Sequence, residues 1–244
     1  MDLIMNIVAI VGAGPGDPEL LTVKASRFIK EADVILHDNL VSDAILAINT
    51  TGEKIYVGRK FGDTTDQIER QQKINELLCA HYQKGKKVVR LKSGDPYVYG
   101  RAAEEARYLT EKNIPFEVIP GISAALAAAN IFNIPITERK KSNAMLICTA
   151  HTADYSFEQL TGIAHMLKAG NTISIYMGLK SLHRIIPKLL EVCKDDTIPV
   201  NAASNVSRSN QEIITGTLGS IQEQIKNSTL QMPVVLLIGA HPIQ

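Results

Sequence analysis

Tryptophan is absent from this chain of 244 residues, and aromatic residues of all kinds make up only 5%. An excess of charge is missing too: 26 Lys and Arg face 25 Asp and Glu, a formal net charge of +1. A dedicated nucleic-acid binder usually carries a strong basic excess, so that class is disfavoured, although a local basic patch is not. Cysteine is scarce. Cys79, Cys148 and Cys193 lie far apart and form neither a CxxC nor a metal-finger spacing. That usage argues against a disulfide framework and for a reducing compartment, read here as the cytoplasm. No long apolar run occurs. The most apolar stretch, Ile122 to Ile136, is broken by Asn130, Asn133 and Pro135, short of the roughly 18 residues of a membrane-spanning helix. The start, Met1-Asp2-Leu3, lacks the basic region of a signal peptide. HExxH, Walker A and GxSxG signatures are missing. His151, His165 and His183 have no metal-ligand spacing, so no metal is expected.

Against these absences stand 45% hydrophobic and 21% charged residues, a globular composition that is neither disordered nor collagenous. The length allows one large α/β domain or two of roughly 120 residues each. Short apolar runs alternate with helical patterns. Strands are predicted over 6–11, 34–37, 54–57, 88–91 and 116–119, with helices over 19–30 and from Ile68 to about Tyr82. Pro120-Gly121 breaks the pattern, an Ala-rich helix follows, and the alternation restarts. Strands are then predicted over 145–148, 172–176, 200–203, 212–217 and 234–238, with helices over 157–167 and 182–192. Alternation of this kind points to mostly parallel sheets. The restart favours two consecutive α/β domains, 1–120 and 121–244, with a single sheet as the alternative.

The unusual residues sit at the strand tips: Gly12-Ala13-Gly14-Pro15-Gly16-Asp17, His37-Asp38-Asn39-Leu40-Val41, Gly58-Arg59-Lys60, Lys92-Ser93-Gly94-Asp95-Pro96, Pro120-Gly121-Ile122-Ser123 and Tyr176-Met177-Gly178. Ligands of open parallel sheets bind outside the carboxyl ends of the strands. Six such tips suggest one shared site. The first loop has a dinucleotide look, with Asp38 about 20 residues on where a ribose carboxylate would sit. Its spacing is GxGxG, however. Pro15 removes an N–H, and Asp17 puts a carboxylate where pyrophosphate needs donors. A tight turn using glycine's positive φ is the competing reading. Gly94 would let a ligand approach the backbone, and Asp95 could accept from a ribose or attract a cation. Arg139-Lys140-Lys141 reads as a solvated loop or as an anion-binding rim.

Taken in order, Val11 to Thr22, Asp38 to Ser42, Arg90 to Arg101, Pro120 to Ala125 and Tyr176 to Gly178 resemble the tetrapyrrole methylases over essentially the whole chain. The resemblance implies two α/β domains, a cofactor held in the cleft between them, and a homodimer. It implies S-adenosylmethionine as methyl donor and C-methylation of uroporphyrinogen III at C2 and C7, giving precorrin-2 for sirohaem or cobalamin. The family's cofactor positions fall on Pro15, Ser93, Gly94, Asp95, Val98, Ser123, Ala124, Met177 and Val206. Its proton acceptor falls on Asp38 and its lysine proton donor on Arg59, with Asp38 as a cap of a helix over 41–46 the alternative role. Arg59, Lys60, Arg101 and Arg139 are the expected cations for the substrate's carboxylates. Departures from the family pattern are Ser93 for glycine, Ala102-Ala103 for Gly-Gly, Arg59 for lysine and Val206 for glycine. Rival readings are another corrin-pathway enzyme such as a precorrin-4 C11-methyltransferase, and a non-catalytic module binding a tetrapyrrole or adenosyl ligand.

Overall fold

The computed structural model describes residues 7–59, 64, 66–150 and 158–243. In chain order the elements are β1 (Val8–Gly12), α1 (Val23–Glu31), β2 (Val34–His37), α2 (Asp43–Leu46), β3 (Glu53–Tyr56), α3 (Gln67–Gln83), β4 (Val88–Lys92), α4 (Ala102–Glu111), β5 (Phe116–Ile119), α5 (Ala124–Ile131), β6 (Met145–Thr149), α6 (Glu158–Lys168), β7 (Thr172–Tyr176), α7 (Leu182–Cys193), β8 (Pro199–Ser204), β9 (Glu212–Thr217), α8 (Ile221–Lys226) and β10 (Val234–Ile238). The chain divides into two compact units, Met1–Ser123 and Ala124–Gln244, a division just beyond the Pro120-Gly121 break.

The first unit holds a five-stranded sheet in the order β3-β2-β4-β1-β5. Every pairing in it is parallel. Parallel strands need crossovers that cover both faces, so the central strands are buried on both sides; β1 is apolar throughout, whereas β4 carries Arg90 and Lys92 among Val88, Val89 and Leu91. Alternate residues of β1 point to opposite sides. Ala9 and Val11 meet Ala25 and Ile29 of α1 and Ile45 of α2. Val8 and Ile10 meet the core that holds Ile74 and Leu78 of α3 and Ala102, Ala106 and Leu109 of α4.

Local chemistry sets the helix starts. Asp17 accepts from Glu19 N at 2.9 Å and caps a single 3-10 turn, Pro18–Leu20. Thr22 then accepts from Ala25 N at 3.1 Å and starts α1. The segment predicted as one helix over 19–30 is thus two, because two capping side chains follow each other. Ser42 caps α2, with Oγ accepting from Ile45 N. Asp38 is therefore not that cap, which corrects the alternative role given to it.

The second sheet runs β6-β7-β10-β8-β9. Only β6 and β7 pair in parallel; β7–β10, β10–β8 and β8–β9 are antiparallel. The expectation of mostly parallel sheets holds for the first unit and fails here. The link between β8 and β9, residues 205–211, is too short for a crossover of a dozen or more residues and can only turn back. Ile173, Ile175, Val200, Ala202, Leu236 and Ile238 pack with Leu160, Ala164 and Leu167 of α6 and Leu182, Ile185, Ile186 and Leu189 of α7.

All three thiols are free. Cys148 on β6 donates to Ser174 O at 3.2 Å, and burial pushes its pKa from 9.0 up to about 12. The fold keeps this proton where the unfolded chain has lost it. Its stabilising contribution is intact below 9.0 and disappears as pH climbs towards about 12. Urea unfolding across that window should show stability falling with pH, and Cys148→Ala should flatten the fall. An equally steep fall in the variant would place the effect elsewhere.

Candidate active site

In the first sheet, β1 leads to α1 on one face while its neighbour β4 leads to α4 on the other. Adjacent strands whose connections leave on opposite faces open a crevice at their carboxyl ends. The β1 and β4 tips are tied across it by the paired bonds Gly14 N to Gly94 O, 3.2 Å, and Gly94 N to Gly14 O, 2.7 Å. The β5 tip closes against both. A Cβ on Gly12 would stand 2.8 Å from Gly94 O and clash with the Gly121 backbone. Asp95 fastens the same corner: Oδ1 accepts from Tyr97 N at 2.9 Å and Oδ2 from Gly121 N at 3.3 Å. Val98 N donates to Asp95 O at 3.2 Å. Gly94 has φ +68°, and the nearest heavy atom to an added Cβ is Ser123 Cα at 4.0 Å. The three tips therefore meet as a packed backbone corner that opens above Gly94. Pro15 and Ser123 are buried beside it, Ser93 and Val98 partly so.

Asp38 follows β2, next to β4, and its side chain is a third exposed. Its Oδ1 accepts from Arg90 Nη2 at 2.6 Å, while Oδ2 lies 3.9 Å from Lys92 Nζ. Arg90 and Lys92 lie on the same face of β4, two residues apart, and both converge on Glu105 Oε1, from Arg90 Nε at 2.8 Å and from Lys92 Nζ at 2.9 Å. Glu105 is wholly buried in the first turn of α4, where the helix dipole favours a carboxylate. Gln71 Nε2 of α3 donates to the same oxygen at 3.4 Å and to Asn75 Oδ1 at 3.1 Å. Burial works against the charge of Arg90, but Glu105 and Asp38 outweigh it and its pKa is raised. Burial, with Arg90 alongside, pushes the Lys92 ammonium below the usual lysine range.

Apart from Asp38, the members of this network were not among the expected site residues. Its signal was present in Arg90-Leu91-Lys92, two cations at strand spacing on an otherwise apolar strand. Arg101 follows in a left-handed conformation, φ 58°, and grips Glu104 bidentately with Nε and Nη2, each at 2.7 Å. The hydrogen bond to Glu104 raises the Arg101 pKa and holds the Glu104 carboxyl below the ordinary range. Arg59 is exposed, and its carbonyl accepts from Tyr56 Oη at 3.0 Å. Lys60 and His151 lie outside the described residues.

In the second unit, Ala125 N donates to Tyr176 Oη at 2.8 Å, which brings the start of α5, with Ala124, to the end of β7. Met177 follows with φ 56° and is half-exposed. Val206 is buried just after β8. Arg139 is exposed in the turn before β6, and His165 and His183 are exposed on helices. Among the described residues, no three His, Cys, Asp or Glu side chains group as metal ligands, and no helix is long and apolar enough to cross a membrane.

A glycine-lined crevice at the switch point of a parallel sheet, with a braced carboxylate one strand away, is the layout of an α/β ligand-binding unit. The model of the tetrapyrrole (corrin/porphyrin) methylases matches residues 8–222. Uroporphyrinogen-III C-methyltransferase of Methanocaldococcus jannaschii is 40% identical over 234 residues, 95% of each chain. Siroheme synthase of Psychrobacter arcticus is 40% identical over 240 residues, 96% of this chain and 42% of that longer protein. Among solved structures, uroporphyrin-III C-methyl transferase of Thermus thermophilus, complexed with S-adenyl homocysteine, superposes with TM-score 0.79 and 33% identity over 96% of this chain and 97% of its own. The chain belongs to the tetrapyrrole methylase family.

Proposed function

We propose that the protein is an S-adenosylmethionine-dependent methyltransferase that methylates uroporphyrinogen III at C2 and C7 to give precorrin-2, supplying sirohaem or cobalamin synthesis. The observation that carries this reading is the open backbone corner above Gly94, pinned by the β1 and β5 tips and by Asp95. It suits an adenosyl ligand better than a dinucleotide, since Pro15 offers no N–H and Asp17 and Asp95 would repel a pyrophosphate. Pro15, Ser93, Gly94, Asp95, Val98 and Ser123 are the first-unit residues that would hold it. Family correspondence adds Ala124, Met177 and Val206 from the second unit. When bound, the donor supplies an activated methyl group on a sulfonium centre, so no metal is required for activation.

The protein's own task is alignment and proton handling. The electron-rich pyrrole carbon is the nucleophile, and no side chain need act as one. As the carbon–methyl bond forms, the sulfonium–methyl bond would break and S-adenosylhomocysteine would leave as a neutral thioether; the methylated ring system would then shed a proton, for which Asp38 Oδ2 is the acceptor. Arg59, Lys60, Arg101 and Arg139 pair with substrate carboxylates, and Arg59 replaces the family's lysine as a binding cation rather than a proton donor, because guanidinium stays protonated. On family grounds the enzyme is a homodimer; its cysteine usage, near-zero net charge and lack of a long apolar run support a cytoplasmic location with no role for membrane or nucleic acid.

Anaerobic incubation with uroporphyrinogen III and labelled S-adenosylmethionine should give a product carrying two added methyl groups by mass. Calorimetry should show S-adenosylhomocysteine binding without added metal. Gly94→Val puts a β-branched side chain at positive φ and into the open corner. The strain of about 1–3 kcal/mol is borne by the free and the bound protein alike and lowers stability; it is the side chain standing in the open corner that should weaken S-adenosylhomocysteine binding, by about tenfold or more. Tighter binding of NAD than of S-adenosylhomocysteine would reject the reading.

A further inference from the structure

Arg90 and Lys92 are each 2% exposed and Glu105 not at all, yet none of the three comes within 4 Å of a Cβ built on Gly94. Burying such groups is expensive, and apolar side chains of equal volume commonly serve stability as well or better. A buried ionic network is therefore weak evidence of a stability role. Its geometry leads to one partly exposed atom group, the Asp38 carboxylate.

We propose that Arg90 is a positioning residue for Asp38, holding Oδ1 so that Oδ2 is presented as the proton-accepting atom. The inference rests on the reading of Asp38 as the proton acceptor. Each nitrogen of the guanidinium is engaged. Nε donates to Glu105 Oε1 at 2.8 Å, Nη1 to Leu36 O at 3.3 Å and Leu91 O at 3.2 Å, and Nη2 to Asp38 Oδ1 at 2.6 Å. The plane is thereby fixed to β4, to the end of β2 and to α4 at once. Because Leu36 lies two residues before Asp38, Arg90 grips both the backbone leading into this tip and the carboxylate on it. Glu105 anchors the far edge of the guanidinium, and Lys92 shares Glu105 Oε1 at 2.9 Å. A lysine at position 90 would keep the charge, but its single ammonium cannot reproduce the planar fork that holds Glu105, Leu36 O, Leu91 O and Asp38 from three separate nitrogens. The role lies in geometry, and the charge alone does not supply it.

The test compares Arg90→Lys, Asp38→Asn and the double variant by steady-state methyl transfer, with S-adenosylhomocysteine titration as control. Misplacing a reacting group by about 1 Å can cost about 10²-fold, so Arg90→Lys should lower kcat to that extent. KM for uroporphyrinogen III and the affinity for S-adenosylhomocysteine should stay near the parent values. In the Asp38→Asn background, Arg90→Lys should cause no further loss, because its effect passes through a carboxylate that is no longer there. Parent kcat in Arg90→Lys, or the same loss repeated on top of Asp38→Asn, overturns the positioning role. Parent kcat in Asp38→Asn overturns the proton-acceptor reading and the positioning role with it, whereas a slow Asp38→Asn beside a fast Arg90→Lys overturns positioning alone. If Arg90→Lys does not fold, the paired Arg90→Met, Glu105→Leu variant removes one buried charge of each sign. Low kcat with parent KM is again expected, and parent kcat again overturns the role.

Discussion

In Asp38→Asn, turnover is expected to fall by about 10²–10⁴-fold, the usual effect of losing a general base. An amide matches the carboxylate in size and can still accept from Arg90 Nη2, but it cannot take a proton. Affinity for S-adenosylhomocysteine should hold, because Asp38 lies at the β2 tip, apart from the glycine corner formed by the β1, β4 and β5 tips. Stability should fall by less than about 3 kcal/mol, since one hydrogen bond between ions becomes one to a neutral oxygen and, with Asp38 a third exposed, water screens the charge imbalance left at this end of the network. The cap of α2 is untouched, because Ser42 supplies it. Methyl incorporation against uroporphyrinogen III concentration, with calorimetry and urea unfolding on the same preparations, reads all three quantities. Parent turnover in this variant would leave Asp38 as a partner of Arg90 only.

The strands were legible where apolar runs are bounded by strong breakers. Phe116–Ile119, Thr172–Tyr176, Glu212–Thr217 and Val234–Ile238 are read from the sequence with the bounds observed. The α4 helix has no such signal at its start: its N-cap is Arg101 in a left-handed conformation, with no capping hydrogen bond from its side chain. Strand direction in the second unit depended on how much chain joins β8 to β9, a matter of loop closure that strand composition does not carry. The site divided in the same way. The glycines and Asp95 announce themselves by residue type, because only a turn or a close approach uses them so densely. What Asp95 binds in the fold, Tyr97 N and Gly121 N, follows from the β5 tip folding back beside β4. The partnership of Arg90 and Lys92 with Glu105 was out of reach, since it depends on α4 crossing the face of β4.

The same crossing sets the largest expected effect on stability. Glu105→Gln leaves Arg90 and Lys92 buried, with only the partly exposed Asp38 to balance two cations. Removing one member of a buried ionic network typically costs about 3–5 kcal/mol, because the remaining charge is left uncompensated. The loss should depend on pH with a definite sign. Burial, then Arg90, already hold the Lys92 pKa below its unfolded value of 10.5, while Glu105 and Asp38 pull it upward. Below that value the unfolded chain binds more protons at this site than the folded one, so stability rises with pH through the window between the two pKa values. Without Glu105 the folded-state pKa drops further and the window widens downward, since Lys92 can relieve the imbalance by releasing its proton. Urea unfolding should therefore show a large deficit at neutral pH that shrinks as the solution becomes alkaline. Adding Arg90→Met to Glu105→Gln should recover much of the neutral-pH loss by removing the surplus cation. A deficit independent of pH, and not relieved by Arg90→Met, would mean that Glu105 contributes packing in α4 and that its charge is incidental.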